Sequence, residues 1–221
     1  MDERYQRGYW NCSYRVSPVE QPPSLPEFMQ IIREVEGHET GWPVWLILDN
    51  RPEMRPYIKD GVIECWLQET SLLDFWRADP HGRMSLTRIL QEDLEAPDRI
   101  GPGKPFALTL PVWRTGECLL HAGRLADRLG VNTVQLMMTW TGLKDRELSA
   151  VGSPNRMLMP GRICQQNEVR TSITVEALAI SNTLPDLVRQ LVSPLYAHFD
   201  FFDPPDEIYT TEIERMRYRV H

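Results

Sequence analysis

Between Asp74 and Arg83 the chain reads DFWRADPHGR, which packs two acids, two arginines, a tryptophan and a histidine into ten residues. A histidine beside a carboxylate is the raw material of general acid–base catalysis, and Arg77 would suit an anion held between them. The order of the residues favours another reading. Asp79, Pro80, His81 and Gly82 carry the signature of a tight turn, and the residues on either side alternate as strands do. The spacing therefore predicts a β-hairpin, Asp74–Asp79 with Met84–Ile89, with His81 in water at its tip. Trp76 and Phe75 should then face opposite sides of the sheet.

A second group lies in WRTGECLLHAGR. Glu117 and His121 stand four residues apart on one helix face, with Arg114 and Arg124 nearby. Glu and His at that spacing can supply two metal ligands, but a third must come from elsewhere, and no zinc-type spacing occurs in the chain. A solvated ion pair on the polar face of the helix is the expected role. The four cysteines (Cys12, Cys65, Cys118, Cys164) stand far apart with no CxxC, so they read as free, mostly buried thiols. GPGKP lacks the GxxxxGK[ST] of a phosphate loop, and neither GxSxG nor HExxH occurs. No metal and no cofactor are expected.

Seven tryptophans are many for 221 residues. Most suit a sheet–helix core, but Trp is also the residue of interface hot spots, so Trp42, Trp66 and Trp76 are candidates for a pocket or a partner surface. With Arg77, Glu117 and His121 they make the set of candidate binding residues. The net charge of −7 and the scattering of Lys and Arg among acids disfavour direct nucleic-acid binding. Leu129–Leu143, the longest charge-free stretch, is too short and too polar to span a bilayer. The N-terminus has no apolar signal region, so a cytoplasmic chain without a membrane partner is expected.

Several elements must position these side chains. GYWNCSYRV has the aromatic-rich pattern of an edge strand. Ser24 and Glu27 form a capping box for a helix with Leu25, Phe28, Ile31, Ile32 and Val35 on one stripe. GWPVWLILDN and GVIECWL read as strands. FALTLPVW reads as a strand running into a helix that ends at Gly130. VNTVQLMMTWTG alternates as a strand, with RELSAV as its hairpin partner. EVRTSITVEALAIS is the clearest strand, and a helix from Thr183 carries Pro194 as a kink. The tail suggests an aromatic plug and a short exposed helix.

The fold class that follows is α+β: a largely antiparallel mixed sheet of about six to eight strands covered by two or three helices. It forms either one domain over residues 1–221 or two lobes (1–100 and 101–221) sharing one sheet. Because no set of catalytic groups converges, the pattern predicts a non-enzymatic sensor, scaffolding or oligomerisation module that binds other protein chains, homo-oligomers included. The alternative is a small-molecule enzyme with a loop-built site around Glu64, Arg77, Glu117 and His121.

GWP, the connector RPEMRPY, IECW and DFWRADPHGR followed by an apolar strand and ED resemble a segment found in prokaryotic regulator-like proteins. There it accompanies an N-terminal AlbA/Schlafen-type DNA- or ATP-binding domain. The likeness is densest over residues 38–93. It implies a C-terminal region, or a stand-alone relative, in a regulatory or defence-type system, with an AlbA/Schlafen-type domain as one expected partner. The shared residues are structural, so the likeness carries no catalytic residue onto this chain.

Overall fold

The computed structural model describes residues 3–69, 72–95, 101–150 and 158–218. Its centre is a seven-stranded, wholly antiparallel sheet. In chain order the strands are β1 (Tyr9–Ser17), β2 (Tyr57–Lys59), β3 (Val62–Gln68), β4 (Leu73–Asp79), β5 (Arg83–Ile89), β7 (Thr133–Thr141) and β9 (Glu168–Glu176). They lie in the order β2-β3-β4-β5-β1-β7-β9. Two short strands, β6 (Pro105–Ala107) and β8 (Glu147–Ser149), pair in parallel beside it. The helices are α1 (Glu3–Arg7), α2 (Leu25–Glu34), α3 (Glu92–Glu95), α4 (Leu110–Arg128), α5 (Leu184–Ala197) and α6 (Asp206–Arg217). The predicted α+β class holds, and strands from both halves of the chain share the one sheet.

The sheet has one covered and one largely open face because side chains alternate along its strands, with Leu73 and Ile89 the buried apolar exceptions on the open side. On the covered face, successive cross-strand rows bring together Cys65, Trp76, Leu86, Cys12 and Met138, then Ile63, Ala78, Met84, Tyr14 and Leu136. All ten are buried. Against them lie α4 over β1 and β7, α5 over β9, and α2 beside β3, with α6 packed on α4 and α5. Each large apolar side chain removed from water in this layer contributes about 1.5–3 kcal/mol, so the covered face dominates the stability of the fold.

The hairpin forms as predicted and gains a residue at each end, with Asp74 opposite Arg88 and Asp79 opposite Arg83. Gly82 closes the turn at φ 79°, and a Cβ there would lie 2.5 Å from the Val16 carbonyl oxygen. The Ser24–Glu27 capping box is also present.

Other elements differ from the expectation. β1 is not an edge strand: it pairs with β5 on one side and β7 on the other. GWPVWLILDN forms no strand. Val44, Trp45 and Leu46 are buried, but their backbone accepts from side chains instead of a ladder: Arg88 Nη2 donates to the Val44 carbonyl (3.1 Å) and Trp76 Nε1 to that of Leu46 (3.0 Å). FALTLPVW keeps only two strand residues, Phe106 and Ala107, because Pro111 sits comfortably in the first turn of α4. RELSAV is not the hairpin partner of β7, whose two edges β1 and β9 already occupy; β8 pairs with β6 instead. The C-terminal helix α6 is not merely exposed, since Tyr209, Glu212, Ile213 and Met216 are buried. Ahead of it, Phe199 stacks on Phe106 with ring centroids 5.1 Å apart.

Candidate functional site

The alternation that buries one face of the sheet fixes what the other presents. Across β5, β1, β7 and β9 the open face places Thr87, Asn11, Thr139 and Arg170 in one row. Ser85, Ser13, Met137 and Ser172 make the next, and Arg83, Arg15, Gln135 and Thr174 the third. Small hydroxyl side chains leave the floor low, and the sheet holds a trough of about 750 Å³ above it. The floor is tied through Ser13 to the row of the open face beside it. Asn11 Nδ2 donates to Thr87 Oγ1 and to the Leu86 carbonyl, each at 2.9 Å, and Ser13 Oγ donates to Asn11 Oδ1 at 2.9 Å.

Arginines line the wall of this trough. Arg77 on β4 donates to Glu64 on β3 (Nε to Oε1, 2.9 Å), and the Tyr57 hydroxyl donates to the other Glu64 oxygen at 3.1 Å. Burial, and then the bond to Glu64, raise the Tyr57 phenol, so it stays a proton donor. Arg83 pairs with Asp79, whose second oxygen accepts from the His81 backbone and ring, each at 2.8 Å. Arg15 stands directly opposite Arg83 and has no ion-pair partner among the described residues. Like charges directly opposite across strands destabilise a sheet. At one end of the face the short α1 contributes Tyr5, whose ring lies 5.9 Å from those of Tyr9 and Trp66.

A second cavity, of about 510 Å³, lies on the helix side between Trp42, Arg88, Gln91, Leu94 and Arg114. Its ionic groups are already engaged. Arg114 donates to Glu117 Oε2 (2.6 Å), to Thr40 Oγ1 (2.9 Å) and to Gln91 Oε1 (2.7 Å), and Thr40 donates to the other oxygen of Glu117. Arg88 grips both oxygens of Asp74 at 2.6–2.9 Å and lies over the Trp10 ring. Burial pulls the Arg88 guanidinium down, but the charge and hydrogen bonds of Asp74 outweigh it and leave it raised.

The structure sorts the sequence candidates. Glu117 and His121 are not a solvated pair on the polar face of α4. Both are buried: Thr40 and Arg114 close over Glu117, Trp45 and Tyr14 of β1 enclose His121, and Arg124 ties the intervening chain down at the Val35 carbonyl and Glu39. His121 is stacked on Trp45 at 4.2 Å, with Nδ1 2.7 Å from the Tyr14 hydroxyl and Nε2 without a partner among the described residues. Burial, helped by Arg124, pushes its imidazole down to about 3, so it is neutral near pH 7. Trp76 is fully buried and offers nothing to a partner. Trp66 is on the open face, 37% exposed, and Trp42 is 61% exposed at the helix-side cavity. His81 is exposed at its turn.

Glu64 and Arg77 therefore meet on the open face, whereas Glu117 and His121 lie on the covered one. The sheet separates the two pairs, so the four residues of the enzyme alternative do not share a site. All four cysteines are buried, and burial pushes the Cys65 thiol up to about 12. Among the described residues no three His, Cys, Asp or Glu side chains are grouped to hold a metal ion, and no helix is long and apolar enough to cross a membrane. The residues that sequence reasoning passed over are Arg15, Arg83, Ser13, Ser85 and Ser172. Their signal was present as the polar half of each alternating strand. Compared with protein-family models, with curated proteins and with solved structures, the chain matches none of them.

Proposed function

We propose that the chain is a non-enzymatic docking module whose open sheet face receives an acidic segment of another protein chain. One observation carries the reading: Arg15 and Arg83 face each other across β1 and β5 at the trough, and among the described residues only Arg83 has an ion-pair partner. A like-charged cross-strand pair works against the fold, so its presence is accounted for by a partner carboxylate that lies between the two guanidinium groups. Arginine suits that task, since its planar fork meets a carboxylate with two hydrogen bonds. The hydroxyl-rich floor adds donors and acceptors that can satisfy the backbone of a bound segment. The resemblance over residues 38–93 supports an AlbA/Schlafen-type domain as the first partner to test, in a regulatory or defence-type setting.

The experiment is a titration of the chain with fluorescent Glu-rich and Lys-rich peptides, for the wild type and Arg15→Glu. The Glu-rich peptide should bind, more weakly as salt rises, and the Lys-rich peptide should not. Arg15→Glu should weaken binding by about tenfold or more, the equivalent of one lost charge-assisted contact. The same substitution places a carboxylate opposite Arg83 and should stabilise the fold by about 0.2–1 kcal/mol. Tighter binding of the Lys-rich peptide by the wild type, or no change in affinity with Arg15→Glu, would refute the docking reading.

A further inference from the structure

The two edges of the sheet differ. At one edge β2 has three residues, too short to template a partner strand. At the other, β9 runs for nine residues in unbroken register with β7, from Thr141 opposite Glu168 to Thr133 opposite Glu176. It holds no proline, glycine or bulge, and among the described residues no strand pairs with its outer side. A long, straight edge of this kind exposes a row of backbone donors and acceptors, which proteins normally blunt or use.

The side chains indicate how it is used. Arg170 and Glu176 lie on the open face, six residues apart, and their cross-strand neighbours on β7 are Thr139 and Thr133, neither of them charged. Among the described residues Arg170 reaches only Glu168 on its own strand, at 3.0 Å with both side chains about half exposed. Between Arg170 and Glu176 the strand reads Thr-Ser-Ile-Thr-Val, with no charge to oppose close approach. We infer that β9 pairs antiparallel with β9 of a second copy of this chain, centred on Ile173, to form one continuous fourteen-stranded sheet. In that register Arg170 of each copy faces Glu176 of the other, and Ser172 faces Thr174. Thr171 faces Val175, and the two Ile173 side chains meet at the two-fold axis. A register centred on Ser172 would instead oppose Glu168 to Glu176 twice, which charge repulsion disfavours. An isologous contact of this type closes at two copies.

The test is sedimentation equilibrium on the full chain, with circular dichroism to check folding. The wild type should approach twice the 25.7 kDa of the chain as its concentration rises. Each single reversal, Arg170→Glu or Glu176→Arg, converts two attractive cross-strand pairs into repulsive ones and should weaken association by at least about tenfold. The double variant R170E/E176R restores complementarity and should associate within about threefold of the wild type, a difference of under 1 kcal/mol. The pairing is overturned by a wild type that stays monomeric, by single reversals that associate like the wild type, or by a double variant as weak as the singles. It is equally overturned by a dimer that Arg15→Glu dissolves and the Arg170 and Glu176 variants leave intact, which would place the contact at the trough.

Discussion

The Asp74–Arg88 pair offers the sharpest test of how this core is held together. The two residues face each other across the hairpin strands, in a row that continues through Trp10 to Trp140. Asp74 is wholly buried and Arg88 is 8% exposed. Three nitrogen–oxygen contacts of 2.6–2.9 Å join them, and the guanidinium is completed by the Val44 carbonyl and the Trp10 ring. Asp74→Ala deletes the only carboxylate in contact with Arg88 among the described residues and strands its charge in the core, which should cost about 3–5 kcal/mol. Changing both partners, Asp74→Leu with Arg88→Met, removes the two desolvation penalties together with the attraction. The double variant should then fall within about 1.5 kcal/mol of the wild type, on either side. Urea unfolding at pH 7 measures both, provided the slope is unchanged so that midpoints report stability. A double variant as damaged as Asp74→Ala would show that the pair's directional bonds, and not the stranded charge, set the cost. The electrostatic argument would then be wrong.

Trp76→Ala should cost about 3–5 kcal/mol for the emptied aromatic site and also strip the Leu46 carbonyl of its donor. His81→Ala should change stability by no more than about 0.5 kcal/mol, as at an ordinary surface position; equal damage in paired denaturant melts would mean that the hairpin tip is a working site. Burial raises the Glu92 carboxyl from 4.5 to about 7, against the hydrogen bond that it accepts from the Ala107 amide. The folded state thus binds the proton more tightly, and the stability this gives, complete below pH 4.5, should fall by about 3 kcal/mol as pH rises to 7.5. Glu92→Gln should flatten that slope in melts across the range, and an unaltered slope would rule out Glu92 as its source. His121 has the opposite sign: its depressed imidazole stabilises the fold above pH 6.5, and about 3 kcal/mol should be lost on descending to pH 4. His121→Phe, monitored by acid unfolding, should lose less over that interval.

The hairpin and β9 were legible because their instructions are local. Pro80 and Gly82 set one turn, and strict two-residue alternation set the strand. The capping box of α2 is equally local. What could not be read is what depends on distant partners. An apolar run such as GWPVWLILDN has the same composition whether its carbonyls join a ladder or accept from Arg88 and Trp76, thirty to forty-odd residues away. The polar stripe of α4 has the same helical spacing whether water or a loop covers it, so Glu117 and His121 looked solvated and are buried. β1 looked like an edge because nothing in its nine residues records that β5 and β7 will flank it. For the trough, the serines of β1, β5 and β9 read one strand at a time as ordinary solvent-facing positions. Only the register that sets Arg15 against Arg83 turns them into a surface.

The trough and the edge meet on one strand. Ser172 and Thr174 line the trough and lie on β9, within the segment that faces the second copy. Antiparallel pairing of two identical edges requires a two-fold axis perpendicular to the sheet, because any other two-fold axis would either run the strands parallel or fail to set them side by side. That axis preserves faces. Both sets of helices therefore lie on one side, and both troughs open on the other, adjoining at the axis. The proposed dimer thus presents two arginine-lined troughs in the same direction with no further rearrangement. A partner that carries its acidic segment in two linked copies can fill both, and the second binding step becomes intramolecular. Linkage of that kind raises affinity by about 10²–10⁴ over a single site when the linker matches the span. Edge pairing through β9 would in this way convert a weak, salt-sensitive contact at Arg15 and Arg83 into a selective one for a dimeric partner.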